Sequence, residues 1–164
     1  YKPVTVEPSV AQAAMIGNPV SFPRVKHFAE QYEAIGGKDS FSVVQVTEQA
    51  IIEGMLLANR HGHIACTQGG ECLAGLIRAK ELGLLEDNEL AILDATAHSL
   101  KFIDFQTMYF EDSFPQGYGI TSKPENRNSP QLVIAPEERE RLSADDYTRV
   151  TAEAVVKRLG LLKR

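Results

Sequence analysis

The sequence predicts an α/β fold, a parallel sheet with flanking helices, and three observations lead there. Short apolar runs rich in strand-forming residues recur at Ser40 to Val46, His63 to Cys66 and Leu90 to Leu93. Each is followed by a hydroxyl residue suited to open a helix, namely Thr47, Thr67 and Thr96. The stretches between them carry apolar residues at helical spacing. The resulting order is helix, helix, strand, helix, strand, helix, strand, which predicts parallel strands joined by crossover helices.

Tyr1 to Val6 is a β-permissive opening, and Glu7-Pro8-Ser9 starts a short helix with Val10, Ala13 and Ala14 on its apolar side. Gly17-Asn18-Pro19 stops it, because Gly and Asn tolerate left-handed backbone and a residue before Pro avoids the α region. Ser21 caps a second helix with Pro23 in its first turn, and Val25, Phe28, Ala29 and Tyr32 form one stripe along it. Gly36-Gly37 ends that helix.

After the strand expected over Ser40 to Val46, Thr47 caps a third helix and Glu48 suits its positive end. Ile51, Ile52, Met55, Leu56 and Ala58 supply its buried face, and Gly62 closes it. His63 to Cys66 is a short strand, followed by a helix with Leu73, Leu76 and Ile77 as its core stripe and Gly83 at its exit. Glu86-Asp87-Asn88 turns into the strand of Leu90 to Leu93. Aromatic residues then crowd together from Phe105 to Tyr118, and Thr121 to Pro130 reads as a polar linker. Ser143 and Asp146 make an acidic variant of the capping box for a last helix faced by Tyr147, Val150, Thr151, Ala154 and Val155.

The 164 residues suffice for one core, and a hydrophobic fraction of 43% is ordinary for a globular protein. A net charge of -5 argues against a nucleic-acid partner, and no run is long enough to span a membrane. Two cysteines, Cys66 and Cys72, imply no disulfide framework and fit the reducing cytoplasm. The chain opens on Tyr1 without methionine and shows no signal peptide, so a fragment or a processed form is expected.

The chemistry concentrates behind the apolar run at Leu90. Asp94, Thr96, His98 and Ser99 stand where an open α/β sheet meets its ligands, outside the carboxyl end of a strand. On local pattern alone, Thr96 and Ser99 read first as helix caps. His61, His63, Cys66 and Cys72 lack the second ligand pair a zinc site needs, so they read as polar ends of a helix and a strand. Cys66 as a nucleophile needs a base partner whose nearness the sequence does not show. Thr67-Gln68-Gly69-Gly70 opens a helix and suits a small anion-binding turn, but it matches no nucleotide fingerprint and reads first as close packing. Arg24 and Lys26 read equally as anion contacts or as surface charges.

Three segments taken in order resemble the C-terminal half of threonine synthase, a pyridoxal-phosphate (PLP) enzyme of the tryptophan-synthase-β fold type. Ala14-Met15-Ile16-Gly17-Asn18-Pro19-Val20-Ser21-Phe22 resembles I-G-N-P-V-S-W; Cys66 to Gly75 is similar to the family's glycine-containing strand-to-helix turn; and Thr96-Ala97-His98-Ser99-Leu100-Lys101 resembles T-G-H-G-L-K. Val46-Thr47-Glu48-Gln49 lies between them where the family reads V-S-D-E. The likeness covers about residues 4–102 and rests on the order of the segments.

The resemblance implies that residues 1–120 are the C-terminal part of the large domain of a fold-type II PLP enzyme, with residues 121–164 an extension carrying one helix. It implies that Thr96 hydrogen-bonds the pyridine nitrogen of pyridoxal 5'-phosphate and that Asn18 lies near the cofactor. The whole enzyme would convert O-phosphohomoserine and water to threonine and phosphate. Ala97 and Ser99 replace family glycines. The family's Schiff-base lysine and cofactor-phosphate loop precede the I-G-N-P segment and have no counterpart here. Lys2, Lys26, Lys38, Lys80 and Lys101 stand in other contexts, so this chain alone is expected to be inactive. Another enzyme of the same fold type, such as a threonine dehydratase, is the nearest alternative, and a non-catalytic α/β binding module the more distant one. Unpaired sheet edges would favour self-association.

Overall fold

The computed structural model describes residues 2–127, 130 and 132–161. Tyr1 of the expected opening segment, and Asn128 and Ser129 of the expected linker, lie outside the described residues. Two compact units divide the chain, Tyr1–Arg127 and Asn128–Arg164.

In the first unit, α1 spans Phe22–Gly36, α2 Glu48–Arg60, α3 Thr67–Glu81 and α4 Ile103–Glu111. Thr47 caps α2 as its sequence suggests, its hydroxyl accepting from the Ala50 N–H at 3.1 Å. Gly37 and Gly83, at φ 92° and 70°, end α1 and α3 in a conformation that glycine adopts without steric cost. The helix expected from Glu7 shortens to one 3-10 turn over Gln12–Ala14. It is anchored by the Glu48 carboxylate, which accepts from the Val10 N–H at 2.7 Å and the Ser9 hydroxyl at 3.2 Å.

The core lies between this N-terminal segment, α2 and α4. Val10, Ile51, Ile52, Met55, Leu56, Phe105 and Tyr109 are buried there, with Phe114 and Tyr118 against Phe105. The segment expected as a free linker is tied to the same core. The Tyr109 hydroxyl accepts from the Lys123 N–H at 3.1 Å and the Asn126 amide at 3.3 Å, and the buried Ser122 hydroxyl donates to the Tyr109 carbonyl. Gln49 adds a two-way clasp with the backbone of Thr121.

The helices α2 and α3 pack backbone to backbone. A Cβ on Gly70 would lie 2.4 Å from the Ile51 carbonyl oxygen, and one on Gly54 would lie 2.6 Å from the Gly70 carbonyl oxygen. Only glycine fits at either position, and the crossing depends on both.

The parallel sheet with flanking helices, and with it the α/β class and the partial fold-type II large domain, is not formed. The structure is 54% helical and 1% strand, mostly helical and, among the described residues, without a sheet. Among the described residues the pairing outside the helices is one antiparallel bridge, between Ala65 and His98. The expected strands run extended but without ladders. Val43 is 80% exposed, Leu90 92% and Ile92 91%. Apolar alternation describes a chain ready to be a strand, yet only a neighbour's N–H and C=O groups make it one, and helix α3 instead meets α2 through glycine. The apolar stripe of α1 is likewise uncovered: Val25, Phe28 and Tyr32 are each more than half exposed.

In the second unit, α5 spans Pro136–Arg139 and α6 spans Ala144–Arg158. The Ser143 hydroxyl accepts from the Asp146 N–H at 3.2 Å, and Arg139 lies over the Tyr147 ring at 5.6 Å. Among the described residues, no helix is long and apolar enough to cross a membrane.

Candidate functional site

Two chain segments meet at the amino end of α3. The first leaves α2 through Gly62, at φ 84°, and runs extended to Cys66. Asn59, on the last turn of α2, fixes its course by accepting the Ala65 N–H at 3.0 Å. The second is the extended segment from Leu90, which crosses the first at the Ala65–His98 bridge. This crossing brings the Thr96 hydroxyl to 4.0 Å from the Cys66 sulfur, a weak hydrogen-bond contact. Thr96 and His98 are exposed, whereas Ser99, Cys66, Thr67 and Gln68 are buried. His98 caps the following 3-10 turn, its Nδ1 accepting from the Leu100 N–H at 3.2 Å, which leaves its ring proton on Nε2.

Thr96 therefore stands exposed at the chain crossing, beside the buried Cys66. Asn18 is placed differently. It is exposed in the turn at Gly17, which is held by the Val4 N–H donating to the Gly17 carbonyl at 2.9 Å. A Cβ on Gly17 would lie 2.0 Å from the Val4 carbonyl oxygen, so that turn requires glycine.

The cysteines do not make a reactive pair. Burial pushes the Cys72 thiol up, and the neighbouring Glu71 and Asp94 carboxylates push it further, so it stays protonated at neutral pH. Cys66 is fully buried as the residue preceding α3. Among the described residues, no three His, Cys, Asp or Glu side chains gather as a metal would need. A separate hollow of about 580 Å³ opens beside α2 and α3, lined by Val46, Leu57 and Ile77 with Glu53, Arg78 and Glu81. Neither Thr96 nor Asn18 lines it.

Gln68 belongs to the turn expected to open α3, but its burial is not signalled by the sequence. It is 7% exposed, and its side-chain nitrogen has no hydrogen-bond partner among the described residues. A glutamine in the first turn of a helix looks like an ordinary surface residue, and its burial comes from the neighbouring extended segments.

No family model matches the chain. Over 109 residues it is 27% identical to threonine synthase 2, chloroplastic, of Arabidopsis thaliana, an overlap covering 66% of this chain and 20% of the plant protein. The chain thus spans about a fifth of the length of the curated relative it matches, and part of it is threonine-synthase-like in sequence.

Proposed function

We propose that this chain is part of a PLP-dependent lyase of the threonine-synthase kind, converting O-phosphohomoserine and water to threonine and phosphate. The observation that carries the reading is the exposed Thr96 hydroxyl at the crossing above α3, in the segment that resembles T-G-H-G-L-K. The similarity to the plant enzyme supports a synthase over a dehydratase.

The donor chemistry at Thr96 fits the cofactor's pyridine nitrogen. PLP supplies an electron sink for carbanions next to the substrate nitrogen. A carboxylate at this position would keep the ring nitrogen protonated and the sink strong. The Thr96 hydroxyl would instead donate a hydrogen bond to an unprotonated ring nitrogen, which would temper the sink and suit elimination and replacement. Asn18 is carried as a second cofactor contact through its segment's resemblance. Two of the lysines engage elsewhere: Lys80 pairs with Asp87 at 2.6 Å and Lys26 with Glu30 at 3.6 Å. The chain by itself is therefore proposed to be inactive and to depend on further polypeptide for the cofactor-linking lysine. The free cysteines Cys66 and Cys72 fit a reducing setting for it.

The test is phosphate release from O-phosphohomoserine by the protein expressed from its natural start codon. PLP-dependent release, with threonine formed in equal amount, is expected. A purified product that carries PLP but deaminates threonine would move the assignment to the dehydratases, and one that turns over neither substrate would overturn it.

A further inference from the structure

We propose that the amino end of α3 binds a small oxyanion, the phosphate or carboxylate group of a metabolite, through the backbone N–H groups of Thr67, Gln68 and Gly69 and the side-chain amide of Gln68. The first N–H of this helix with a helical acceptor is that of Gly70, which donates to the Cys66 carbonyl at 3.0 Å. Cys66 contributes no side-chain cap. The three preceding N–H groups have no partner among the described residues, and Thr67, Gln68, Gly69 and Gly70 are all buried. A helix start on the surface leaves such groups to water, but a buried one needs an acceptor brought to it.

The Gln68 side chain is an independent sign of the same acceptor. Its Oε1 accepts from the Thr67 hydroxyl at 3.2 Å, which holds the amide at the first residue of the helix. Its Nε2 is the one buried side-chain nitrogen or oxygen among the described residues without a partner. Three backbone donors and one side-chain amide donor, all carried by the first turn of a fifteen-residue helix at its positive end, match several acceptor oxygens on one negatively charged group. Glu71 and Asp94 lie near Cys72, further along the helix, and oppose the anion. The site stands on these donors and not on the cofactor reading, since Thr96 is not among them.

The experiment is an amide proton–nitrogen NMR titration of the full chain with inorganic phosphate, with acetate, and with chloride at matched ionic strength. Saturable shifts of the Thr67, Gln68 and Gly69 amides and of the Gln68 side-chain NH₂ are expected with phosphate or acetate and not with chloride. Response to phosphate alone identifies a phosphate ligand, and response to acetate identifies a carboxylate. Gln68→Met conserves volume, removes the orphaned donor and should weaken binding at least threefold while raising Tm in anion-free buffer. No saturable shift, equal shifts with chloride, or unchanged affinity in Gln68→Met overturns the proposal. Should Gln68→Met fail to fold, the wild-type comparison of phosphate and acetate with chloride decides. PLP absorption plays no part in these readouts, so failure here leaves the synthase reading standing and the reverse is equally true.

Discussion

Glu53 and Glu71 sit in opposite electrostatic circumstances, and their pH behaviour separates accordingly. Burial alone would raise the Glu53 carboxyl, but the Lys123 ammonium and the Gln49 amide outweigh it and hold it below its ordinary value. A depressed folded-state pKa gives stability that is present above the unfolded value and lost as pH falls through the folded one. Glu71 is raised, first by burial and then by the Glu48 carboxylate. Its contribution is fully present below the unfolded pKa and is lost as pH rises through the folded one. Glu53→Gln should therefore lower Tm at pH 7 and Glu71→Gln should raise it, with both differences closing as the pH approaches the acid range. Thermal melts across pH check both signs. Thr96 is exposed, as the polar cluster around it suggests, but the sheet strand whose carboxyl end argued for a ligand there is not formed among the described residues. The burial of Gln68 and the pairing of Glu71 with Glu48 are not legible in the sequence, because each depends on residues distant in the chain.

The α2–α3 crossing gives the sharpest prediction at the scale of elements. Gly70→Ala forces a methyl group against the Ile51 carbonyl and the Met55 backbone and should cost about 1–3 kcal/mol. Gly75 is also within α3, but a Cβ there would meet the Val44 side chain at an ordinary 3.8 Å. Gly75→Ala should instead stabilise by about 1 kcal/mol through helix propensity. Urea-unfolding midpoints of the two variants test whether the backbones meet where the structure puts them. Helix periodicity carries the existence of α1 to α3, but of the caps expected for them only Thr47 forms; Ser21 makes no side-chain cap for α1, and α3 follows Cys66, not a Thr67 cap. Thr47 and Ser143 cap as their residue types suggest, and Ile51, Ile52, Met55 and Leu56 are buried together. The sheet is not legible in this way: Val43, Leu90 and Ile92 have the composition of strands, but their exposure shows that composition supplies no ladder partner. The aromatic run from Phe105 to Tyr118 looks blurred in register because it serves two structures. Phe105 and Tyr109 belong to α4, and Phe114 and Tyr118 fold back onto Phe105.

For the molecule as a whole, the first unit exposes extended apolar segments and an uncovered face on α1, a combination that favours association. Sedimentation velocity of the 164-residue chain should show a weight-average mass rising with concentration, whereas a concentration-independent monomer would count against the exposed apolar surface as a driving force. The proposed enzyme reading asks more of the molecule than its fold alone supplies, since the cofactor-linking lysine has to come from additional polypeptide. The measurement that bears on it most directly is the visible absorption spectrum of the protein expressed from its natural start codon, before and after borohydride, beside the same protein carrying Thr96→Asp. A visible cofactor band that borohydride abolishes and that shifts in Thr96→Asp, with turnover falling in step, is the predicted result. A protein without that band, or a Thr96→Asp variant with unchanged spectrum and turnover, would contradict the assignment of Thr96 to the cofactor.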